Sequence, residues 1–178
     1  MGELKKYLNF DFSFLKSHAI NFILALVLLF VAVRKTPSIL EMYKTEGTLA
    51  HSATVIDLNS QVIAIPLVKK HILVFWATWC GPCKVELGRI NKMIQNGEID
   101  AESILAISVA EDLNLVTSVV KDQRYLFKVA IDQRGQAAEL YRVSGTPTLL
   151  FIDNDQKIYW MTTGISPSLE FRIRSFLK

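Results

Sequence analysis

Residues 72–83 read ILVFWATWCGPC, and this stretch decides the fold of the chain. Its first half, from Ile72 to Ala77, is uncharged and rich in β-branched and aromatic side chains, which predicts a short strand buried on both faces. The second half contains both cysteines of the protein, Cys80 and Cys83. A helical pattern of apolar residues follows. The stretch therefore predicts a buried strand, a turn with two cysteines and a helix, in that order.

Two thiols at this spacing can form a disulfide or bind a metal. A helix that begins at the motif directs unpaired N–H groups and the positive end of its dipole toward the first sulfur. Such surroundings lower a cysteine pKa from about 8.5 to between roughly 3.5 and 7.5. Pro82 suits the first turn, because it lacks an N–H that would otherwise stay unpaired. Redox chemistry is therefore favoured over two cysteines that merely pack. Cys80 is the predicted exposed nucleophile, and Cys83, one turn inside the helix, is the predicted buried resolving thiol.

Residues 75–83, FWATWCGPC, resemble the active-site segment of the thioredoxin superfamily, and WATWC most resembles its membrane-anchored TlpA/ResA-type branch. Residues 144–148, SGTPT, resemble the cis-proline loop of that superfamily. Residues 162–166, TTGIS, and 171–174, FRIR, are similar to the ending of the ScsD-like protein disulfide oxidoreductases, which are linked to copper tolerance. The resemblance implies an α/β fold: a thioredoxin-like mixed sheet covered by helices on both faces.

The same resemblance places the loop of Thr146 and Pro147 against the cysteines. A cis bond before proline costs only about 0.5–1 kcal/mol, and it would leave the Thr146 backbone free to pair with a substrate strand near Cys80. The Gly-Pro dipeptide between the cysteines resembles that of thioredoxin, which leans toward reduction. Trp76 is expected in the core and Trp79 at the rim of the site. The predicted substrate-binding residues are Trp79, Gly81, Pro82, Thr146 and Pro147.

Glu86 follows Cys83 by three residues, where the TlpA/ResA-type pattern often has a glutamate and ScsD-like relatives often lack one. The wider superfamily often places a buried acid on the central strand, where this chain has Val74. Glu86 could instead take the proton of Cys83 through water, or it could be a solvated side chain on the helix surface. Both interpretations stay open. His71 opens the buried strand and is expected to be packed and hydrogen-bonded, not catalytic.

Composition excludes several other classes of protein. The 178 residues carry 20 basic and 17 acidic side chains, a net charge of +3, without a basic cluster that would indicate nucleic-acid binding. Two cysteines cannot form a disulfide scaffold, and no cysteine and histidine pattern completes a zinc site. We therefore expect no metal and no cofactor beyond a redox-active Cys80–Cys83 disulfide.

The N-terminal part contains an apolar run from Ala19 to Val33, bracketed by Lys16 and Arg34. At about 1.5 Å per residue, the stretch between these charges would be about 26 Å long, marginally enough to cross a bilayer core. A cleaved signal peptide or a buried helix are the alternatives. The first is disfavoured because the nearest small-residue cleavage site is distant, and the second because the run has no polar face. The predicted organisation is a leader (1–17), a transmembrane anchor (18–35), a linker (36–52) and a thioredoxin-like domain (53–178).

Alternating patterns along the domain predict its elements. The predicted strands are Ala53–Leu58, Gln61–Ile65, Ile72–Ala77, Ser103–Val109, Leu126–Ile131, Thr148–Asp153 and Lys157–Met161. The predicted helices are Lys84–Gln95, Leu113–Lys121, Gln136–Tyr141 and Leu169–Leu177.

Together these features predict a membrane-tethered thiol:disulfide oxidoreductase that acts on other proteins, with oxidant and isomerase activity as open alternatives to reductant. The resemblance implies a single-pass protein of the bacterial inner membrane with a periplasmic domain, recharged by a membrane electron donor if it is a reductase. The rival from another class is a Cu(I)-binding, copper-tolerance module that uses the same two thiolates. A non-catalytic scaffolding domain would leave the intact cysteine pair unexplained.

Overall fold

The computed structural model describes residues 20–31, 33 and 45–178. The chain divides into two compact units, residues 1–40 and 41–178. In the first unit, residues 20–31 and 33 are helical. Among the described residues, no helix combines the length and the apolar content that crossing a membrane requires. The predicted leader lies outside the described residues, and the predicted anchor lies only partly within them.

The second unit contains one mixed sheet of seven strands, in the order β2-β1-β5-β4-β3-β6-β7. Strands β3, β4 and β5 are parallel to one another, whereas β1, β2, β6 and β7 join the sheet through antiparallel pairs. The strands are β1 Ala53–Asp57, β2 Val62–Ile65, β3 His71–Trp76, β4 Ile104–Val109, β5 Lys128–Asp132, β6 Thr148–Ile152 and β7 Ile158–Thr163.

The central strand β3 is buried along its whole length. Successive side chains of a strand point to opposite faces of the sheet. Accordingly Ile72, Val74 and Trp76 belong to one hydrophobic cluster and Leu73 and Phe75 to another. A strand that contributes to two cores needs apolar residues on both faces, which explains the continuous apolar run from Ile72 to Trp76.

Helices cover both faces of the sheet. The helices are α1 Gly81–Gln95, α2 Leu113–Gln123, α3 Gln136–Leu140 and α4 Leu169–Leu177, and a short 3-10 turn spans Ala101–Ser103. Apolar residues of α1, α2 and α4 pack in the cluster that contains Trp76, and those of the short α3 pack in the cluster that contains Phe75. The predicted α/β class, with a mixed sheet between helices, is confirmed.

Strand β5 begins two residues later than the apolar pattern predicts. The N–H of Leu126 donates to Asn91 Oδ1 at 2.8 Å, and Asn91 Nδ2 donates to the carbonyl of Arg124 at 3.2 Å. The side-chain amide of Asn91, on α1, thus binds the backbone of the residues before the strand. Pairing of β5 with β4 starts at Lys128. Sequence periodicity does not contain this long-range contact.

Residues 47–50, at the end of the predicted linker, lie against the β6–β7 hairpin. The N–H of Gly47 donates to the carbonyl of Ile158 at 2.7 Å, and the N–H of Ile158 donates to the carbonyl of Thr48 at 2.9 Å. The N–H of Ala50 donates to the carbonyl of Gln156 at 2.8 Å. These bonds cover part of edge strand β7, whose backbone groups would otherwise be open for pairing with another chain.

Candidate active site

The two cysteines lie where β3 passes into α1. A turn closed by the Cys80 N–H and the Ala77 carbonyl, 3.1 Å apart, follows the strand. Cys80 is the N-cap residue of α1, and a proline occupies the first turn of the helix. The helix begins at Gly81, immediately after Cys80 and three residues before the predicted start at Lys84, and the proline suits its first turn. The first cysteine therefore lies at the positive end of the helix dipole.

Cys80 and Cys83 form a disulfide with an S–S distance of 2.06 Å. The Cys83 N–H donates to Cys80 Sγ at 3.2 Å and also to the Cys80 carbonyl at 3.1 Å, so the first sulfur shares a helix N–H with the backbone. Cys80 is 4% exposed and Cys83 is fully buried. The predicted order of exposure is confirmed, although Cys80 is less accessible in this oxidised state than the term exposed nucleophile suggests.

The predicted cis-proline loop lies beside this disulfide. The bond between Thr146 and Pro147 is cis, as predicted, and the Thr146 carbonyl oxygen lies 3.5 Å from Cys80 Sγ. The N–H of Gly164 donates to the Pro147 carbonyl at 2.7 Å, and Thr148 Oγ1 donates to the Gly145 carbonyl at 2.7 Å. A bond within the loop and a bond from the residue after β7 thus fix the loop, and its Thr146 carbonyl faces the first cysteine.

The predicted substrate-binding residues lie around the disulfide and differ in how far they are exposed to solvent. Trp79 is 77% exposed, whereas Trp76 is fully buried, so the division into a rim and a core tryptophan is confirmed. Gly81 and Pro82 are exposed on the first turn of α1, and Thr146 is partly buried at the loop. This end of the molecule therefore presents an aromatic ring and open backbone next to the sulfur pair.

Glu86 is fully buried, so its interpretation as a solvated side chain of the helix surface is wrong. Its Oε1 accepts from the N–H of Ser166 at 2.6 Å, and its Oε2 accepts from Arg89 Nη1 at 3.1 Å. Arg89 also donates to the carbonyl of Ser166 at 2.8 Å and pairs with Glu170 at 3.2 Å. We call Glu86, Arg89, Ser166 and Glu170 the helix-side cluster. It joins α1 to the segment that precedes α4.

A second glutamate, Glu111, was missed by the sequence analysis. Its two oxygens lie 3.1 and 2.8 Å from the N–H of Thr78, its Oε1 accepts from Thr78 Oγ1 at 2.5 Å, and its Oε2 accepts from Ser108 Oγ at 2.5 Å. We call Glu111, Thr78 and Ser108 the strand-side cluster. The signal was available, because parallel strands β3 and β4 end at the same sheet edge and an acid just after β4 is directed to the cysteine turn.

His71 is buried at the opposite end of β3. Its Nδ1 lies 2.7 Å from the carbonyl of Lys69, and its Nε2 lies 3.2 Å from the N–H of Leu67. A carbonyl requires a proton on Nδ1 and an N–H requires a lone pair on Nε2, so these partners specify the neutral ring. Burial lowers the pKa of His71 below its usual 6.5, more than the bond to Lys69 raises it. The packed, hydrogen-bonded interpretation is confirmed.

Within residues 20–31, 33 and 45–178, no group of three or more His, Cys, Asp or Glu side chains is placed to hold a metal ion. Two-coordinate binding of Cu(I) by the cysteine thiolates needs no such group. The copper-binding alternative therefore stays a prediction.

Comparisons with known proteins agree with this geometry. The model of the AhpC/TSA family matches residues 41–161. Thiol-disulfide oxidoreductase ResA from Bacillus subtilis (strain 168) is 30% identical over 122 residues, which are 67% of this chain and 68% of the relative. ResA from Bacillus thuringiensis subsp. konkukian (strain 97-27) is 32% identical over 114 residues, 63% of this chain and 66% of the relative. The chain thus spans about two thirds of the length of these curated relatives.

Among solved structures, a protein assigned as the thiol:disulfide interchange protein DsbE from Chlorobium tepidum superposes with a TM-score of 0.65. The two chains are 26% identical, and the superposition covers 75% of this chain and 98% of the other. Sequence and structure therefore point to the same group of proteins.

Proposed function

The chain belongs to the AhpC/TSA family and is of the TlpA/ResA type, and from this premise we propose that it is a protein thiol:disulfide oxidoreductase with Cys80 and Cys83 as its redox pair. The observation that carries the proposal is the disulfide at the N-terminus of α1, with Cys80 as N-cap and the Thr146 carbonyl 3.5 Å away.

The reduced protein would transfer two electrons to a partner disulfide in two exchange steps. The Cys80 thiolate attacks one partner sulfur, the partner S–S bond breaks, and the released partner thiolate takes a proton. The Cys83 thiolate then attacks Cys80 Sγ and expels the second partner sulfur, which also takes a proton. The products are the Cys80–Cys83 disulfide and two partner thiols. A donor dithiol must then reduce the disulfide again.

The geometry supports Cys80 as the attacking thiol. The Cys83 N–H, 3.2 Å from Cys80 Sγ, and the helix N-terminus both favour negative charge on this sulfur. Cys83 is fully buried inside the first turn, where a partner protein would reach it only through Cys80. This difference in access supports the proposed division into an attacking and a resolving thiol.

We further propose that Trp79 and the backbone of Thr146 bind the partner chain. Trp79 offers an exposed aromatic surface beside the nucleophile. An extended partner segment that lies along the cis-proline loop would bring its disulfide to Cys80. Gly81 and Pro82 leave the approach to the sulfur open, because neither has a long side chain.

The finer proposal is a membrane-tethered reductant that acts on periplasmic proteins. Its support is the uncharged run of residues 22–33 near the N-terminus and the Gly-Pro dipeptide between the cysteines, which resembles that of thioredoxin. A reductant outside the cytoplasm needs a membrane electron donor, which is the implied second partner. Mass spectrometry of the mature chain tests the tether: a start at residue 1 or 2 supports it, and a start near Ala50 indicates a cleaved signal.

Replacement of each cysteine by serine tests the activity and the roles. We expect the Cys80→Ser variant to be inactive in reduction of a protein disulfide such as that of insulin. The Cys83→Ser variant should accumulate a mixed disulfide with its partner, visible on a non-reducing gel. Adducts with Cys80→Ser but not with Cys83→Ser would reverse the roles. A wild-type protein that does not exchange with any protein disulfide would refute the proposed function.

A further inference from the structure

Glu111 binds the turn that presents the first cysteine. The turn from Ala77 to Cys80 is closed by its own backbone bond, and the N–H of Thr78 lies outside that bond. Both oxygens of Glu111 lie within 3.1 Å of this N–H, and one of them also accepts from the Thr78 hydroxyl. Because Thr78 is buried, an unpaired N–H here would cost about 1–3 kcal/mol. Glu111 therefore supplies the hydrogen-bond acceptor for the Thr78 N–H of this turn.

The loop after β4 is shaped to aim Glu111 at this turn. Ala110 adopts a left-handed conformation with φ of 56°, which is uncommon for a residue with a Cβ, and its N–H donates to the carbonyl of Asp132 at 2.8 Å. Asp112 caps α2 through the N–H groups of Asn114 and Leu115. Glu111 thus lies between Ala110, whose backbone is hydrogen-bonded in a left-handed conformation, and Asp112, which caps α2. These two neighbours fix the backbone from which the Glu111 side chain extends.

The carboxylates of Glu111 and Glu86 differ in the groups that contact them. Glu86 pairs with the guanidinium of Arg89. The donors to Glu111 are an amide and two hydroxyl groups, from Thr78 and Ser108, all of them neutral. Hydrogen bonds from neutral donors stabilise a carboxylate without cancelling its charge. The strand-side cluster therefore retains a negative charge close to the active site.

That charge is near enough to act on Cys80. Thr78 precedes Cys80 by two residues, which span at most about 7 Å, so the carboxylate lies within about 10 Å of the Cys80 backbone and within about 13 Å of its sulfur. At this distance two unit charges interact by a few tenths to somewhat more than 1 kcal/mol for effective dielectric constants between about 80 and 20. Charged groups on the surrounding elements include Asp112 beside Glu111, Lys84 and the Glu86–Arg89 pair on α1, and Arg142 before the cis-proline loop.

We propose that Glu111 is a positioning residue for the exchange reaction, which fixes the Thr78–Cys80 turn and disfavours the Cys80 thiolate by its negative charge. This inference rests on the proposed function. A less stable thiolate means a less stable reduced form, so the charge makes the dithiol a stronger reductant. The structure thereby assigns Glu111 a part in setting the direction of electron flow.

The Glu111→Gln variant separates the charge from the geometry. A glutamine oxygen can still accept from the Thr78 N–H, and its amide can donate to the hydroxyl groups that now reorient. We expect the acid dissociation constant of Cys80 to rise about two- to tenfold, measured by thiolate absorbance at 240 nm in the reduced protein. The equilibrium with glutathione should shift toward the dithiol by up to the same factor.

Glu102→Gln is the matched control, because Glu102 precedes β4 and Glu111 follows it. The same loss of charge at the opposite end of this strand should leave both quantities as in the wild type. Equal values in the wild type, Glu111→Gln and Glu102→Gln would overturn the electrostatic part of the proposal. Equal shifts in both variants would also overturn it, because the effect would then come from net charge alone.

The Glu111→Ala variant tests the positioning part. It removes the acceptor of the Thr78 N–H, so exchange with a protein disulfide should be slower than in Glu111→Gln, with folding checked by circular dichroism. Equal exchange rates of the alanine and glutamine variants would overturn this part. Thiol ionisation and the glutathione equilibrium are measurable even in a protein without partners. A failure of the proposed function would appear instead as a wild type that does not exchange with protein disulfides.

Discussion

Two glutamates flank the cysteine motif, and the structure treats them differently. On the helix side, Glu86 is fully buried and pairs with Arg89, which also holds the segment before α4. On the strand side, Glu111 is partly buried and its donors are all neutral. A carboxylate removed from water needs a cation or several donors. The helix-side cluster meets this requirement with charge and the strand-side cluster with hydrogen bonds alone.

This difference shows that closeness to the cysteines in sequence does not identify the acid that acts on the sulfurs. Glu86 lies one turn from Cys83 along α1, and its charge is offset by Arg89. Glu111 lies on another strand's loop, and its charge is not offset by any of its hydrogen-bond donors. A carboxylate paired with a cation, such as Glu86, is favoured for a structural role. A carboxylate with neutral donors only, such as Glu111, is favoured for an electrostatic effect on the cysteines.

The largest expected effect is that of Arg89→Ala. This change leaves the fully buried Glu86 without its cation and removes the donor to the Ser166 carbonyl. Breaking one partner of a buried ion pair typically destabilises a protein by about 3–5 kcal/mol. We expect the midpoint of urea unfolding to fall accordingly, with an unchanged slope. A loss below about 1 kcal/mol would show that the helix-side cluster contributes no more than a surface pair.

Glu86→Gln is the next change in size, and it tests whether this glutamate also acts on Cys83. The variant keeps an acceptor for the Ser166 N–H and loses the charge opposite Arg89, so it should be less stable by about 1.5–3 kcal/mol. If Glu86 removes the proton of Cys83, resolution of the mixed disulfide should slow by about 10- to 10³-fold near neutral pH. We expect this deficit to shrink at high pH, where Cys83 ionises unaided.

Rapid-mixing kinetics at pH 7 and pH 9 measure that deficit, under conditions where the variant is folded. A destabilised variant with a wild-type rate and pH profile would restrict Glu86 to the helix-side cluster as a structural residue. The contrast with Glu111→Gln is informative, because that variant should change the ionisation of Cys80 and not the resolving step.

Strong local patterns made most of the fold predictable. The apolar runs Ile72–Trp76 in β3 and Ile104–Ile107 in β4 correspond to strands with two buried faces. The cis bond at Pro147 and the exposure of Trp79 followed from the resemblance of short motifs. These features depend on residues near one another in sequence or on a motif that occurs as a unit.

What escaped prediction depends on contacts between distant segments. Nothing local to Glu86 reveals Ser166, which lies 80 residues away and donates to its carboxylate. The contact of Glu111 with Thr78 spans 33 residues, and it required knowing that two parallel strands end side by side. The burial of a polar side chain is decided by such partners, which periodicity does not contain.

His71 should set the pH dependence of stability against which variants of either glutamate are compared. Its folded-state pKa is lowered from 6.5 by burial, so the unfolded chain binds the proton more readily. Stability is therefore retained above pH 6.5 and falls as the pH drops from 6.5 toward the folded pKa, by at most about 1.4 kcal/mol per pH unit. Urea unfolding at pH 7.5 and 5.5 measures the fall. We expect His71→Gln to flatten it, and the exposed His51→Gln to leave it unchanged; the same pH dependence in His71→Gln would show that another group is responsible.

Arg174→Ala should have the smallest effect, and it isolates what is particular to Arg89. Both arginines bind Glu170, each at 3.2 Å, and Arg174 also pairs with Glu98 at 2.9 Å. All three side chains in the Arg174 pairs are at least 30% exposed, so water replaces the lost contacts and the expected cost is below about 1 kcal/mol. The cost should shrink further in 1 M salt, because screening weakens exposed pairs. If urea unfolding gave equal losses for Arg174→Ala and Arg89→Ala, the shared partner Glu170 would explain both, and the burial of Glu86 would lose its energetic significance.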